Sequence, residues 1–572
     1  MRNLPPLLLA VAIGCGGGGT ATTSPPPTRA PISIATTPTD HQLAARAPAA
    51  LTPGAPGLDA AIASYFERAA TRRAYLQTDK PLYQPGETIW FRADLRATGT
   101  MLAGPPIATT VELVSPRGAI VTSKRVLAQR GVARNDLRLA DTLEGGEYKL
   151  VLRADDGTAD ERTLIVNTYQ PPRLQKSLEL LRKAYGAGDA VAAAVEVKQA
   201  TGEPFANRAL TAIVTIDDAE VQRLALTTDR AGHATARFTL PTQMARGDGL
   251  LTILAEDGGV TESIQKRIPI VMTSLQLGLY PEGGDLVDGV PGRVYFMAKT
   301  LIGKPADVEG KVVDERGQTV AEFRSIHDGL GRFELTPATD RRYQVVITKP
   351  AGITARYDLP ASKPGGCVLR SIDPTTADVV RVAATCNTAR HLEVVAVMRE
   401  RRLGSGGFDV AAGEPTVVEI PVDAKVAGQG VVRVTLFGAT REPLAERLVY
   451  HGAGADLRVE LTADKATYTP RDPVTLRVKT TDAHGKPVAA SVAVAVVDET
   501  VLAYADDKSA RILARMYLEP ELGATSADPI EEPNFYFSDK PEAAAAMDAL
   551  LATRGYRRFE WRPITAALGD AP

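Results

Sequence analysis

The sequence predicts an all-β protein: a tandem array of about five immunoglobulin-like or fibronectin-like β-sandwiches, with a short N-terminal helix and a small C-terminal helical tail. Three observations lead there. In the first, residues 75–78 can pair as a strand and 88–95 alternate as a half-buried one, on either side of Asp79-Lys80-Pro81 and Pro85-Gly86, a strand, turn, strand signature. Pro81 cannot donate to a ladder, Pro85 presets φ, and Gly86 accepts positive φ. In the second, the pattern Asp-Lys-x-x-Tyr-x-Pro-x-acid returns as Asp464-Lys465-Ala466-Thr467-Tyr468-Thr469-Pro470-Arg471-Asp472 ahead of another alternating run. A degraded copy is Tyr185-Gly186-Ala187-Gly188-Asp189, and Val290-Pro291-Gly292-Arg293-Val294-Tyr295-Phe296 keeps only the Pro-Gly turn and its strand. These copies recur at a period of about 100 residues, the size of one sandwich, with one unmarked copy before the last. In the third, alternating strands broken by turns about every ten residues argue for sandwiches and against βαβ units.

The same stretches resemble the alpha-2-macroglobulin and complement-component family of macroglobulin domains. Residues 75–91 look like the opening of its second macroglobulin domain. Leu279-Tyr280-Pro281-Glu282-Gly283-Gly284-Asp285-Leu286, with His327-Asp328-Gly329-Leu330-Gly331-Arg332-Phe333, is similar to the fourth. Val494-Ala495-Val496-Val497-Asp498-Glu499-Thr500-Val501-Leu502 is similar to the sixth, near where the bait region sits in inhibitors. The resemblance covers residues 74–502 in family order. It implies macroglobulin-type sandwiches, membership of an endopeptidase-inhibitor family, and proteins as partners, a protease among them.

Taken in order, the chain opens on a leader over residues 1–15: Arg2, an apolar run to Ile13, then Ala12-Ile13-Gly14-Cys15, which reads as a bacterial lipobox. The run is too short to span a bilayer. Lipid on the Cys15 thiol would hold the protein to the membrane of the bacterial cell envelope, at the outer membrane or a periplasmic face; an incidental cysteine in an ordinary signal peptide is the alternative. Residues 16–56, rich in Gly, Thr, Pro and Ala, read as a disordered spacer. Apolar residues at Leu58, Ile62, Tyr65, Phe66 and Ala69 predict a helix within 57–73, expected to lid the first sandwich. Sandwiches follow over 74–169, 172–270, 272–359 and 360–453, and a fifth starts at 456–502. The tail, 503–572, combines a bait-like stretch, a helix from Pro541 to Gly555, and Tyr556-Arg557-Arg558-Phe559-Glu560-Trp561, an extended clip expected to pack on the fifth sandwich.

The composition suits an exported globular chain of several domains: 572 residues carry a net charge of -2, and a pI near 6.4 offers nothing to nucleic acid. With Cys15 lipidated, Cys367 and Cys386 remain, and an oxidising compartment would let them pair; two buried free thiols is the other reading. Pro364-Gly365-Gly366-Cys367 resembles the first half of the family's thioester motif. Val368-Leu369-Arg370 follows in place of the glutamine that would supply the acyl group, so no thioester is expected.

No catalytic constellation stands out. The six histidines are scattered, without HExxH or Cys/His ligand spacing, so neither a metal nor a cofactor is expected. There is no GxSxG elbow, Walker loop or dinucleotide fingerprint. Asp285 and Asp328 lie in turns, where carboxylates commonly accept from backbone N–H groups. An enzyme is therefore the least favoured class. Two others remain. One is a steric protease inhibitor whose bait is residues 503–528, with Lys508, Arg511 and Arg515 as basic cleavage positions. The other is an envelope scaffold that holds a partner by sheet edges or loops, with no inhibitory activity. The leader generates a direct test. Labelling with a fatty-acid probe should mark the wild-type protein and leave Cys15→Ser unmarked; a labelled Cys15→Ser protein would refute the lipobox.

Overall fold

The computed structural model describes residues 38–54, 56–68, 71–168, 173–372, 379–422, 428–452, 457–497, 501, 511–525, 528–556 and 559–565. The leader with Cys15, spacer residues 16–37 and Lys508 lie outside the described residues.

The fold is mostly β. In the first unit a three-stranded sheet (Arg72–Thr78, Thr88–Ala97, Val132–Arg138) faces a five-stranded one in the order Leu82–Tyr83, Ala159–Val166, Gly146–Ala154, Ile107–Val114, Ile120–Ala128. Alternation puts Leu76, Phe91, Ala93, Leu95, Val111, Leu113, Leu150, Leu152 and Leu164 into one core. The second unit repeats this with three strands (His233–Thr239, Ala190–Gln199, Leu174–Leu180) against four (Ala219–Thr227, Ala209–Ile216, Gly249–Asp257, Val260–Ile268). In the third unit seven strands, from Gln276–Pro281 to Arg356–Asp358, form one continuous sheet. Strand Thr319–His327 pairs with Leu330–Leu335 on one side and Glu309–Asp314 on the other, so the sheet folds over Phe296, Phe323 and Phe333. The fourth unit opposes Cys367–Ser371, Val379–Cys386 and Thr416–Pro421 to Arg401–Val410, Arg390–Met398, Gly430–Phe437 and Pro443–His451.

The turn that defines the repeat is held by one hydrogen-bond scheme. The Tyr83 hydroxyl donates to Asp79 Oδ1 at 2.7 Å, the same oxygen accepts from Trp90 N at 2.9 Å, and Lys80 N donates to the Tyr83 hydroxyl at 3.3 Å. Gln84 N donates to Glu87 Oε2 at 2.8 Å, and Lys80 Nζ reaches that oxygen at 2.6 Å. Burial, with Asp79 beside it, pushes the Tyr83 phenol well above its usual range. The later copy reproduces four of the five: Tyr468 to Asp464 Oδ1 at 2.6 Å, Thr475 N to the same oxygen at 2.9 Å, Lys465 N to the Tyr468 hydroxyl at 3.0 Å, and Thr469 N to Asp472 Oδ2 at 3.0 Å, with Lys465 Nζ standing off at 3.7 Å. The degraded copy keeps half of it. Arg182 N donates to the Tyr185 hydroxyl at 3.0 Å, and Gly186 N to Asp189 Oδ2 at 2.9 Å.

The fifth unit, among the described residues, is a two-stranded sheet that follows the pattern of the first. Strands Arg458–Ala463 and Leu476–Thr481 pair in the register of Arg72–Thr78 and Thr88–Ala97. Leu461 stands where Leu76 does, yet it is 58% exposed against 2%; Val478 is 38% exposed where Ala93 is 0%. Among the described residues no second sheet covers this hairpin.

Three expectations change. Residues 38–54 are not an unstructured spacer. Helix α1 (Pro38–Ala45) is followed by backbone bridges from Ala49 to Val418 and from Thr52 to Gly407, which lay the segment along the fourth unit. Helix α2 (Pro56–Arg68) buries Leu58 and Ile62 against Val395, Val397 and Phe437 of that same unit, not the first. Trp561 of the clip docks there too, its ring 5.0 Å from that of Phe437, instead of on the fifth. An amphipathic stripe reports that a face is buried, not which surface buries it.

Gly86 has φ +84°, and a Cβ there would lie 2.3 Å from Asp141 Oδ1. Gly86→Val should therefore cost about 1 kcal/mol or more from the backbone alone. Trp90, on the adjoining strand, should report a lowered unfolding midpoint by fluorescence; an unchanged denaturation curve would contradict the assignment.

Candidate functional site

The bait-like stretch was expected to be an accessible loop, and the part that is described is not. Residues Ile512–Tyr517 form helix α3, with Ala514 and Met516 buried. Arg515 lies between two carboxylates: it pairs with Asp160 of the first unit and with Glu519 at 2.9 Å. Arg73, also in the first unit, donates to the Met516 carbonyl and pairs with Glu521. Arg515 thus fastens the tail and is not displayed for cleavage. Arg511 is exposed, although its backbone N–H is held by Asn534 Oδ1 at 2.7 Å.

Further on, helix α4 (Ala543–Arg554) enters between the third and fourth units. Its run of alanines lets the backbone come close: Ala543, Ala546, Ala549, Leu550 and Leu551 are buried against residues of both. Two side chains of this helix that sit among the apolar ones are charged, Arg554 at its end and Asp548 in its middle. Asp548 accepts from the Tyr295 hydroxyl at 2.6 Å, from Arg332 Nη1 at 3.0 Å and from the Ser371 hydroxyl at 3.2 Å, and it pairs with Arg447. Arg447 donates in turn to Glu282 Oε1 at 3.0 Å, and Ser371 N to the same oxygen at 3.1 Å. Arg370 reaches Asp40 of α1 at 2.9 Å, and Arg293 pairs with Asp40 as well. Burial opposes the charge on Asp548, but Arg447, Arg332 and Arg293 outweigh it and hold the carboxyl well below its usual range. Burial pushes Glu282 up against the pull of Arg447 and Arg370. No periodicity or motif marks this cluster in the sequence. Its one sequence signal is a lone aspartate inside Ala543-Ala544-Ala545-Ala546-Met547-Asp548-Ala549-Leu550-Leu551.

Cys367 and Cys386 stand opposite each other on neighbouring strands and are joined, with an S–S distance of 2.08 Å. The Cys367 sulfur is therefore committed to a disulfide and is not available for an acyl bond.

The tail also meets the third unit at the His327-Asp328 turn. His327 stacks on Phe535, ring centroids 3.5 Å apart. Lys183 Nζ lies 2.7 Å from Glu532 Oε1 of the tail and 3.4 Å from Asp328 Oδ1. Asp285 behaves as a surface carboxylate, paired with Lys363 at 2.7 Å. Asp328 departs from the expectation for a turn: among the described residues neither of its oxygens accepts a hydrogen bond.

Two family models match parts of the chain: the MG2 domain over residues 73–166, and the alpha-2-macroglobulin bait region domain over 373–504. An alpha-2-macroglobulin of Ralstonia nicotianae is 24% identical over 486 residues, which cover 75% of this chain and 30% of that protein. Among solved structures, trypsin-activated alpha-2-macroglobulin from Escherichia coli is 16% identical, with a TM-score of 0.43, over 76% of this chain and 34% of that one. Salmonella alpha-2-macroglobulin reacted with methylamine is 15% identical, with a TM-score of 0.33, over 76% and 32%. The chain spans about a third of the length of these relatives. The bait-region match ends at Tyr504, so all but the first two residues of the expected 503–528 bait lie beyond it.

Burial, opposed by Lys183 and reinforced by Glu532 and Asp307, raises the Asp328 carboxyl to about 6. The native state then holds a proton that the unfolded chain releases above about pH 4. This site's contribution is full below about pH 4 and is lost as pH rises through 6, a swing of up to ~3 kcal/mol. Urea unfolding in EDTA should show wild type gaining stability relative to Asp328→Asn between pH 7 and pH 5; parallel pH profiles would refute the shift.

Proposed function

The chain belongs to the alpha-2-macroglobulin family, and we propose that it is an exported, lipid-anchored member that hinders endopeptidases sterically, without a thioester. The observation that carries this reading is an arrangement along the chain. The bait-region match ends at Tyr504, Lys508 and Arg511 follow, and from α3 onward the chain is pinned to the first, third and fourth units. A cut at Lys508 or Arg511 would separate the fifth unit from the docked tail without breaking either core. Arg515, held by Asp160 and Glu519, is the least suited of the three basic positions. Such a mechanism blocks access by bulk and leaves the protease's own chemistry intact. Its partner is a protease with trypsin-like preference for basic residues, and the lipid on Cys15 would place it at the envelope surface.

The extent of tail docking favours one alternative, a scaffold with no inhibitory activity. Limited trypsinolysis with mass mapping separates the two. Inhibition expects first cuts at Lys508 or Arg511, with Arg515 and residues 74–497 intact. The treated trypsin should then lose activity on a protein substrate much more than on a small peptide substrate. First cuts in residues 16–37, with equal activity on both substrates, would overturn the inhibitor reading and support the scaffold.

A further inference from the structure

At the His327-Asp328 turn, the contacts that dock the tail leave one buried carboxylate poorly balanced. Asp328 is 6% exposed. A buried carboxylate whose oxygens accept no hydrogen bond keeps a large desolvation cost unless a cation offsets it. The nearest cations do so only in part: Lys183 Nζ is 3.4 Å from Oδ1, and His327 Nε2 is 3.6 Å from Oδ2. A second carboxylate, Glu532, comes in from the tail, and one ligand atom from each of His327, Asp328 and Glu532 falls within 4.8 Å of the others. His327 is oriented by its stack on Phe535, three residues beyond Glu532 in the same tail segment. Asp307 closes the back of the turn by accepting from Lys183 N at 3.1 Å and from Gly329 N at 3.4 Å. On the open side lies a cavity of about 270 Å³, lined by Asp328, Lys304, Pro305 and Tyr536.

We propose that His327, Asp328 and Glu532 form a divalent-cation site of zinc type, which staples the tail to the third unit. One imidazole nitrogen with two carboxylate oxygens is a zinc donor set, and three protein ligands leave the fourth tetrahedral position to water on the cavity side. A nitrogen ligand and only two carboxylates disfavour calcium, which takes six to eight oxygens. The Lys183 ammonium sits between the two carboxylates and competes with the metal. Its side chain is 42% exposed and can swing into the solvent when the ion enters. The two ligands from the turn and the one from the tail are separated by the fourth and fifth units in sequence, so binding couples metal to tail docking.

The competition makes a specific test. Full-length protein stripped with EDTA and dialysed is titrated with zinc chloride by calorimetry, and thermal unfolding is followed with and without zinc. Wild type should bind one zinc, and the Asp328→Asn and His327→Ala variants should bind at least about tenfold more weakly. Lys183→Met should bind more tightly than wild type, since the competing charge is gone, and zinc should restore its lowered melting temperature. Calcium chloride should give no heat. A near-ultraviolet circular dichroism spectrum like that of wild type verifies that each variant is folded. No zinc binding by either wild type or Lys183→Met would overturn the proposal, as would stoichiometric zinc binding undiminished in Asp328→Asn.

Discussion

The pairing of Arg447 with Glu282 and Asp548 is the interaction on which the arrangement of the units depends. Glu282 belongs to the third unit, Arg447 to the fourth and Asp548 to the tail helix; Glu282 and Arg447 are removed from water, and Asp548 keeps only 16% of its side chain exposed. Each would be strongly unfavourable alone; removing one member of such a buried group typically costs about 3–5 kcal/mol because the others are left uncompensated. The cluster therefore does little for the stability of any one sandwich, each of which has its own apolar core. What it specifies is position. The charges balance only when the third unit, the fourth unit and α4 meet in one geometry, and Asp40 with Arg293 and Arg370 extends the same condition to α1.

The tail is consequently part of the architecture and not an appendage. It reaches the first unit through Arg515 and Glu521, the third through Phe535 and Glu532, and the fourth through α4 and Trp561. Sandwiches strung in sequence touch mainly their neighbours; a segment that touches three of them couples units far apart in the chain. Under the proposed inhibition, this gives a physical reason for where the cut would fall. Backbone held in a helix whose Arg515 and following Glu521 are ion-paired to the first unit resists a protease, because cleavage needs several residues extended in the enzyme's cleft.

The fifth unit shows the opposite balance. Its turn forms four of the five hydrogen bonds of the first, since those involve residues within a dozen positions of one another. Its apolar face nonetheless stays open, with Val459 and Leu461 exposed. Local bonding is enough to define a turn and a hairpin register; burying the hairpin requires an opposing sheet.

The sequence by itself determined what short-range chemistry controls. Alternation over 88–95, the proline and glycine turns, and the recurring Asp79–Tyr83 pattern determined an array of β-sandwiches and the positive φ at Gly86. The stripe through Leu58 and Ile62 determined a helix, as did the alanine-rich run before Gly555. The tertiary structure alone decided which unit receives those helices, that residues 38–54 lie along the fourth unit, that Arg515 meets Asp160, and that Asp548 is buried among arginines. The reason is the same in each case. An ion pair between residues hundreds of positions apart leaves no periodicity in the chain, and one apolar stripe fits any apolar surface of suitable shape until packing and charge select among them.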